Sequence, residues 1–430
     1  LFLRLIIDCR RANRCFAKPR SISLPTPDVL ASLRLSKDRS YKVAHSDVDN
    51  CFHRMMLPVW MQPYFALPSV RAADVGLGAE FGDDTLVFPL LTRLPMGWSH
   101  SPLLCQTVHT QIVRTLLPAE DEITSSNDLV VDRPRWCVYL DDFTVVSPAD
   151  CDPDSLFRRY LALMAKRGLP AKPSKVEPPA DSATSLGLDF DCCERTVGVA
   201  PAKLHALCVE TQLLLERGEA TGFELSAVLG KWTWACLVRR PALSCFAAVY
   251  RFVEQAQWCR FRLWRSVRRE LEVIMGLAPL LVADLGSQWA PLLVATDASD
   301  LGQGVVVRDE RPVKVEAEAR LARKTPCSVL SDRQRTKLER ASLAGGNWVE
   351  IIAARWRWRD HHINELELRA VLSATRWLAS RPALVQSRVM LLCDSTVAVA
   401  ALSKGRSSSY SLLFVLRQIS ALCMACGFTL

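Results

Sequence analysis

The sequence predicts an α+β chain of two or three domains: a mixed part over 1–195, a helical part over 196–288, and an α/β part with a mixed sheet over 289–430. Three observations predict it. In the first part, short apolar runs that end in carboxylates, "YKVAHSDVDNCF" and "CVYLDDFTVVS", read as strands. From Pro201 to about Arg269, apolar residues fall at helical spacing. After a linker-like mix from Gly276 to Gln288, "PLLVATDASDLGQGVVV" returns to strands and "HINELELRAVLSATRWL" to a helix.

Composition narrows the function classes. Half of the 430 residues are apolar (50%), which supplies a sizeable core and argues against global disorder. The net charge of +9 favours an anionic partner such as nucleic acid, and the abundant arginine suits phosphate contacts. The 16 cysteines are scattered and many lie inside apolar runs. They are expected to be reduced thiols of an intracellular protein of cytoplasm or nucleus. The Cys423–Cys426 spacing has no second pair, so a core or helix-end position is expected rather than zinc. "LLVADLGSQWAPLLVA" is broken by Asp284 and Gln288, and no membrane span is expected. The chain begins "LFLRLIIDCRRAN", without Met, and reads as a strand and a basic turn of a fragment that starts inside a domain.

The elements follow in order. "LPTPD" (Leu24 to Asp28) and "LPAKPSKVEPPADSATS" (Leu169 to Ser185) are proline-rich, and the second is too proline-dense for a helix. Between them, "DSLFRRYLALMAKRG" reads as an amphipathic helix stopped by Gly168. "SLGLDFD" and "TVGVA" read as short strands around a turn. "PAKLHALCVETQLLLERG" opens on proline and ends on glycine, as helices do. "ELSAVLGKWTWACLVRRPAL" follows, with Trp232 and Trp234 expected in packing rather than in base stacking.

The paired Asp141 and Asp142 have two readings: a surface hairpin turn, or a hairpin tip that holds a metal. Asp47 sits at the end of another apolar strand that runs into a helical turn. Two such strands side by side would bring Asp47, Asp141 and Asp142 to one point, tolerable if divalent cations occupy it. The flanking His45 and His53 are expected to be partly exposed and structural.

"YLDDF" resembles the YxDD box of reverse transcriptases, and "SDVDNCF" resembles the first aspartate box of their palm. "LRLIIDCRRAN" resembles the fingers segment, with Arg4, Asp8, Arg10 and Asn13 on its positions. "LPMGWSHSPLLCQ" resembles the box under the template and incoming nucleotide, "PSKVE" the lysine motif and "SLGLDF" the primer grip. The resemblance implies a right-hand polymerase with palm and fingers followed by a helical thumb. It implies metal-binding roles for Asp47 and Asp141, with Asp142 accessory, and Mg²⁺, or Mn²⁺, as cofactor. Arg4 and Arg10 would face phosphate and Lys175 the triphosphate. Gly97 would let backbone approach the nucleic acid, and Phe52 would exclude a ribose 2′-hydroxyl. Met96 replaces the family's glutamine, and Asp49 and Asn50 replace its lysine–aspartate pair.

The last part repeats the theme. Asp297 ends a strand, with Gly302 and Gly304 expected to allow a tight return. Glu367 lies beside the apolar stripe of Leu368, Val371, Leu372 and Leu378, and Asp394 stands where "RVMLLC" meets a helix. Together these residues resemble ribonuclease H, and "HINELEL" resembles the retrotransposon enzymes, including the DIRS-like group. The resemblance implies metal binding by Asp297, Glu367 and Asp394, with Glu365 as a decoy. The family carries a further carboxylate past the next helix. "CGFTL" resembles the start of the strand leading there, so this α/β module is expected to be incomplete.

The function expected from these resemblances is an RNA-directed DNA polymerase with an attached ribonuclease H. Its partners would be an RNA template, a DNA primer, the RNA–DNA hybrid and dNTPs, with no membrane. A non-catalytic nucleic-acid-binding scaffold derived from such a polymerase is the alternative, and the retained carboxylates speak against it. An RNA-templated RNA polymerase is disfavoured by Phe52.

Overall fold

Tyr41–Asp47 (β1) lies inside a four-stranded sheet, and its burial explains its composition. The strands Arg135–Tyr139 (β2), Asp142–Pro148 (β3) and Glu177–Ala180 (β4) complete it in the order β2-β3-β1-β4. β1 and β3 run antiparallel, with Tyr41 opposite Pro148 and Asp47 opposite Asp142. β1 and β3 are central strands whose side chains are nearly all buried on both faces of the sheet, so strict alternation is lost. Pro178 and Pro179 fall on the edge strand β4, where proline's missing N–H costs least.

This sheet belongs to the first of two compact units in a computed structural model that describes residues 7–125, 127, 129–324, 347–357 and 361–430. Ser101–Val113 (α1) and Pro153–Lys166 (α2) share a core with the sheet: Cys105, Val113, Phe157, Tyr160 and Met164 pack with Val138, Phe143 and Val145. Asp152 caps α2 by accepting from the Ser155 N–H, and Gly168 ends it at φ +77°. The opening departs from expectation. Ile7–Cys9 form no strand and Arg10–Asn13 is one helical turn, while Arg4 lies outside the described residues.

In the second unit, Leu188–Asp191 (β5) and Thr196–Val199 (β6) form the expected hairpin. The expected linker is structured instead: Val282–Asp284 (β7) pairs with β6, Val282 opposite Gly198. Pro201–Arg217 (α3) ends at Gly218 with φ +73°, and Gly222–Cys236 (α4) opens on a capping box made by Thr221 and Glu224. Trp232 is fully buried, its indole N–H donating to Thr211, as a packing role requires. A short ribbon, Glu219–Thr221 with Arg260–Arg262, interrupts the helical part. Ala248–Ala256 (α5) and Arg265–Leu277 (α6) follow. Buried Glu270 of α6 accepts from the N–H groups of Ala247, Ala248 and Val249, satisfying the donors at the start of α5.

The rest of that unit is a mixed sheet. Trp289–Ala298 (β8), Gly302–Asp309 (β9), Val349–Arg355 (β10) and Arg388–Cys393 (β11) lie in the order β10-β9-β8-β11. β8, β9 and β10 are antiparallel neighbours, and β11 joins β8 in parallel. The helices are Pro312–Lys324 (α7), Ile363–Ala379 (α8), Thr396–Lys404 (α9) and Tyr410–Cys426 (α10). Leu368, Val371, Leu372 and Leu378 of α8 are buried against β8, β9 and α10, as their spacing predicts. Thr429 pairs in parallel beside Arg388, so "CGFTL" does enter strand pairing. Gly302 owes its place to crowding rather than to a turn: a Cβ there would lie 2.6 Å from the Ala354 carbonyl oxygen. Every cysteine among the described residues is a free thiol, and no described helix is long and apolar enough to cross a membrane.

Candidate metal centres

The first centre is built on the β2–β3 hairpin. Asp142 opens β3, and Asp47, which ends β1, is its cross-strand partner. Asp141 sits in the turn between β2 and β3, and its carbonyl accepts from the Val48 N–H at 2.9 Å. Burial pushes the Asp141 carboxyl above its usual range. The nearby charge of Asp47 adds to this, while its own backbone N–H and the Lys175 ammonium pull the other way. Lys175 is placed by pairing beyond β1, where the Lys172 N–H donates to the Asp47 carbonyl and Ala171 bridges Val48.

The turn itself is strained. Leu140, with a full side chain, takes φ +56°. Two polar residues three apart on α1 hold it there. The Leu140 N–H donates to Gln106 Oε1 at 2.7 Å, and its carbonyl contacts His109 Nδ1 at 2.8 Å. Gln106 also donates to the Val138 carbonyl, and His109 Nε2 meets the Tyr160 hydroxyl at 3.1 Å. Burial drives the His109 pKa down to about 4, which keeps the ring neutral. Sequence reading missed both residues, which stand among other polar side chains of α1, Thr107, Thr110 and Gln111, so no local contrast marked them.

His45 corrects an expectation: it is buried, with Nε2 3.5 Å from Asp142 Oδ1, while His53 is exposed as predicted. Burial lowers the His45 pKa. Phe52, on the helical turn Cys51–Arg54, is partly buried against the core. Arg10 is exposed and forms a forked ion pair with Asp8, 2.6 Å at its shortest. Asn13 donates to the Gly97 carbonyl and accepts from the Ser99 N–H, fastening the fingers-like segment to the "LPMGWS" loop. Gly97 has φ +110°, and a Cβ there would meet the Ile7 carbonyl at 3.1 Å. Internal close approach therefore already requires this glycine.

The second centre gathers side chains from β8, α8 and the end of β11. Asp297 stands on β8 opposite Gly304, and the parallel register sets Thr296 beside Cys393, so Asp394 follows directly. Glu367 projects from the second turn of α8 and is only 5% exposed. One of its oxygens, Oε2, is buried without a hydrogen-bond partner. Burial first, then the charges of Asp394 and Asp297, push its carboxyl up to about 7, against one bond from the Ala298 N–H. Glu365 is a different case: it pairs with Arg369 at 2.8 Å and His361 at 3.0 Å. Ser395, not Asp394, caps α9 by accepting from the Ala398 N–H, which leaves Asp394 available.

Glu367 and Asp394 fit a divalent cation, whereas among the described residues Asp47, Asp141, Asp142 and Asp297 do not bring three ligand atoms within 4.8 Å of one another. Like charges crowd together, and at Glu367 a buried oxygen lacks a partner that a cation would supply. The expected metal ligands are all carboxylates, the oxygen donors that hard cations prefer.

Comparison with known proteins supports the first centre's context. A family model described as reverse transcriptase (RNA-dependent DNA polymerase) matches residues 3–190. Among solved structures, the foamy viral protease-reverse transcriptase dRH in complex with ds DNA is similar at TM-score 0.50 and 14% identity, covering 96% of this chain and 60% of that one. The foamy viral protease-reverse transcriptase in complex with dsDNA follows at TM-score 0.49 and 15% identity, covering 92% and 68%. At 14% identity the likeness to the first is one of fold. A curated protein, the SPS-sensor component PTR3 of Saccharomyces cerevisiae, is 32% identical over 107 residues. That stretch is 24% of this chain and 16% of the yeast protein, too little to carry a functional argument. The chain thus spans 60% of the first solved structure and a small part of the curated protein. Residues 3–190, the stretch that carries the first centre, thus match the reverse transcriptase family.

Proposed function

We propose that this chain copies RNA into DNA, extending a primer 3′-hydroxyl in an in-line phosphoryl transfer. The observation that carries the proposal is the antiparallel register that sets Asp47 against Asp142, with Asp141 in a turn pinned by Gln106 and His109. Asp47, Asp141 and the accessory Asp142 would hold Mg²⁺, or Mn²⁺. When bound, the ions would lower the cost of charge on the attacking and leaving oxygens. Lys175, exposed beside Asp141, would face the triphosphate of the incoming dNTP, as would Arg4. Arg10 would exchange its Asp8 partner for phosphate. Phe52 would stand against the sugar and reject a 2′-hydroxyl.

The polymerase part is 1–195, with 196–288 as thumb and connection and 289–430 as a ribonuclease H-like module. There Asp297, Glu367 and Asp394 would hold the metal ions for cutting the RNA strand of a hybrid. Template RNA, DNA primer and their hybrid would be held mainly through phosphate, so binding should weaken steeply with salt. The test is extension of a DNA primer on an RNA template by purified chain with Mg²⁺ and dNTPs. Extension that disappears in Asp47→Asn supports the reading. Folded protein that binds hybrid without extending it overturns the reading in favour of a scaffold.

A further inference from the structure

Glu367, Cys393 and Asp394 each offer a ligand atom, and these atoms lie within 4.8 Å of one another. The third member is a sulfur. Consecutive residues of a strand point to opposite faces, yet Cys393 and Asp394 both reach this point because β11 ends at Cys393 and the chain turns into α9. A second observation marks the spot as one that takes a ligand: Glu367 Oε2, on a side chain more than nine-tenths buried, has no hydrogen-bond partner. The ordinary role of such a cysteine is packing, and Cys393 does pack partly against the core of its sheet. Packing alone does not account for the open carboxylate oxygen beside it.

We propose that Cys393 gives this centre a soft ligand, so that Glu367, Cys393 and Asp394 form a site for a thiophilic divalent cation such as Zn²⁺ or Cd²⁺. Mg²⁺ would use only the oxygens. Zinc takes sulfur at about 2.3 Å and carboxylate oxygen at about 2.0–2.2 Å, so a small contraction of the trio would complete three of four tetrahedral positions. The thiol proton leaves to solvent as the Cys393–metal bond forms. A thiophilic ion would claim two carboxylates that Mg²⁺ needs, and so would displace Mg²⁺ from this centre without touching the Asp47–Asp141 centre. The proposal rests on the carboxylate centre proposed above and adds to it the ion class it selects.

The test reads occupancy on the full chain. Alkylation of Cys393, followed by mass spectrometry, is timed with no metal, with Zn²⁺ and with Mg²⁺; exposed Cys15 and Cys259 serve as internal standards. Zn²⁺ should slow Cys393 by about tenfold or more while Mg²⁺ leaves it nearly unchanged, because only the former binds sulfur well. Glu367→Gln and Asp394→Asn should remove the Zn²⁺ effect. In parallel, the Cd²⁺-induced ultraviolet charge-transfer band should be smaller in Cys393→Ser than in the natural chain by one site. A Cys393 rate indifferent to Zn²⁺, protection that survives Glu367→Gln, or equal Cd²⁺ bands overturns the sulfur ligand. The parent reading fails separately: a Mg²⁺-induced rise in melting temperature that does not depend on Glu367 would count against the carboxylate centre itself.

Discussion

In the first centre all three carboxylates stand on or beside strand ends, and a lysine faces them: Asp47 and Asp142 are cross-strand partners and Lys175 tempers the field at Asp141. In the second, one carboxylate comes from a helix packed onto the sheet. There burial and the charges of Asp394 and Asp297 drive the Glu367 carboxyl up to about 7, with no cation among the described residues set against them. The difference is one of support. A hairpin rim leaves room for a side-chain cation, and Lys175 opposes the upward push of burial at Asp141. A helix laid over a sheet removes water, so the buried acid either binds a proton or meets a metal.

The largest break in that comparison is Asp141→Asn. It should lower primer extension by on the order of 10³-fold, while hybrid binding and any RNA cleavage at the second centre remain. Loss of both activities together would mean that the centres are not independent. Phe52→Ala should relax discrimination between dNTPs and ribonucleotides by about 10–100-fold, read by single-nucleotide incorporation. Unchanged discrimination would remove Phe52 from the sugar site.

Glu367→Gln sharpens the contrast through pH. A raised carboxyl keeps its proton in the folded chain where the unfolded chain has lost it, so metal-free stability should fall as pH rises from about 4.5 to about 7. The glutamine variant should flatten this slope in thermal melts, and Mg²⁺ should stabilise the natural chain more than the variant above pH 7. The smallest effect belongs to Glu365→Gln. Losing its pairing with Arg369 and His361 should cost about 1 kcal/mol and leave the response to Mg²⁺ intact.

Several elements were legible because their signals are local. Proline at the start and glycine after the end delimit α3, and Gly168 delimits α2. The period of Leu368, Val371, Leu372 and Leu378 marks the buried face of α8. What sequence reading missed depends on partners far along the chain. β7 is a three-residue strand that exists through pairing with β6. His45 was misjudged because both faces of its strand are covered, so no alternation remains to show which side chains meet water. Gln106 and His109 acquire their role from a strained turn that no local pattern reveals.

By itself the amino-acid order determined which acids could matter, since carboxylates at the ends of apolar runs are few and costly there. It also set the helix limits and the class of each domain. Only the tertiary structure decided that Glu367 rather than Glu365 is left without a counter-charge, that Gly97 answers to the Ile7 carbonyl, and that a sulfur stands beside two carboxylates. The reason is that hydrogen-bond satisfaction and electric field at a side chain are sums over neighbours in space, and those neighbours come from strands and helices that sequence order keeps apart.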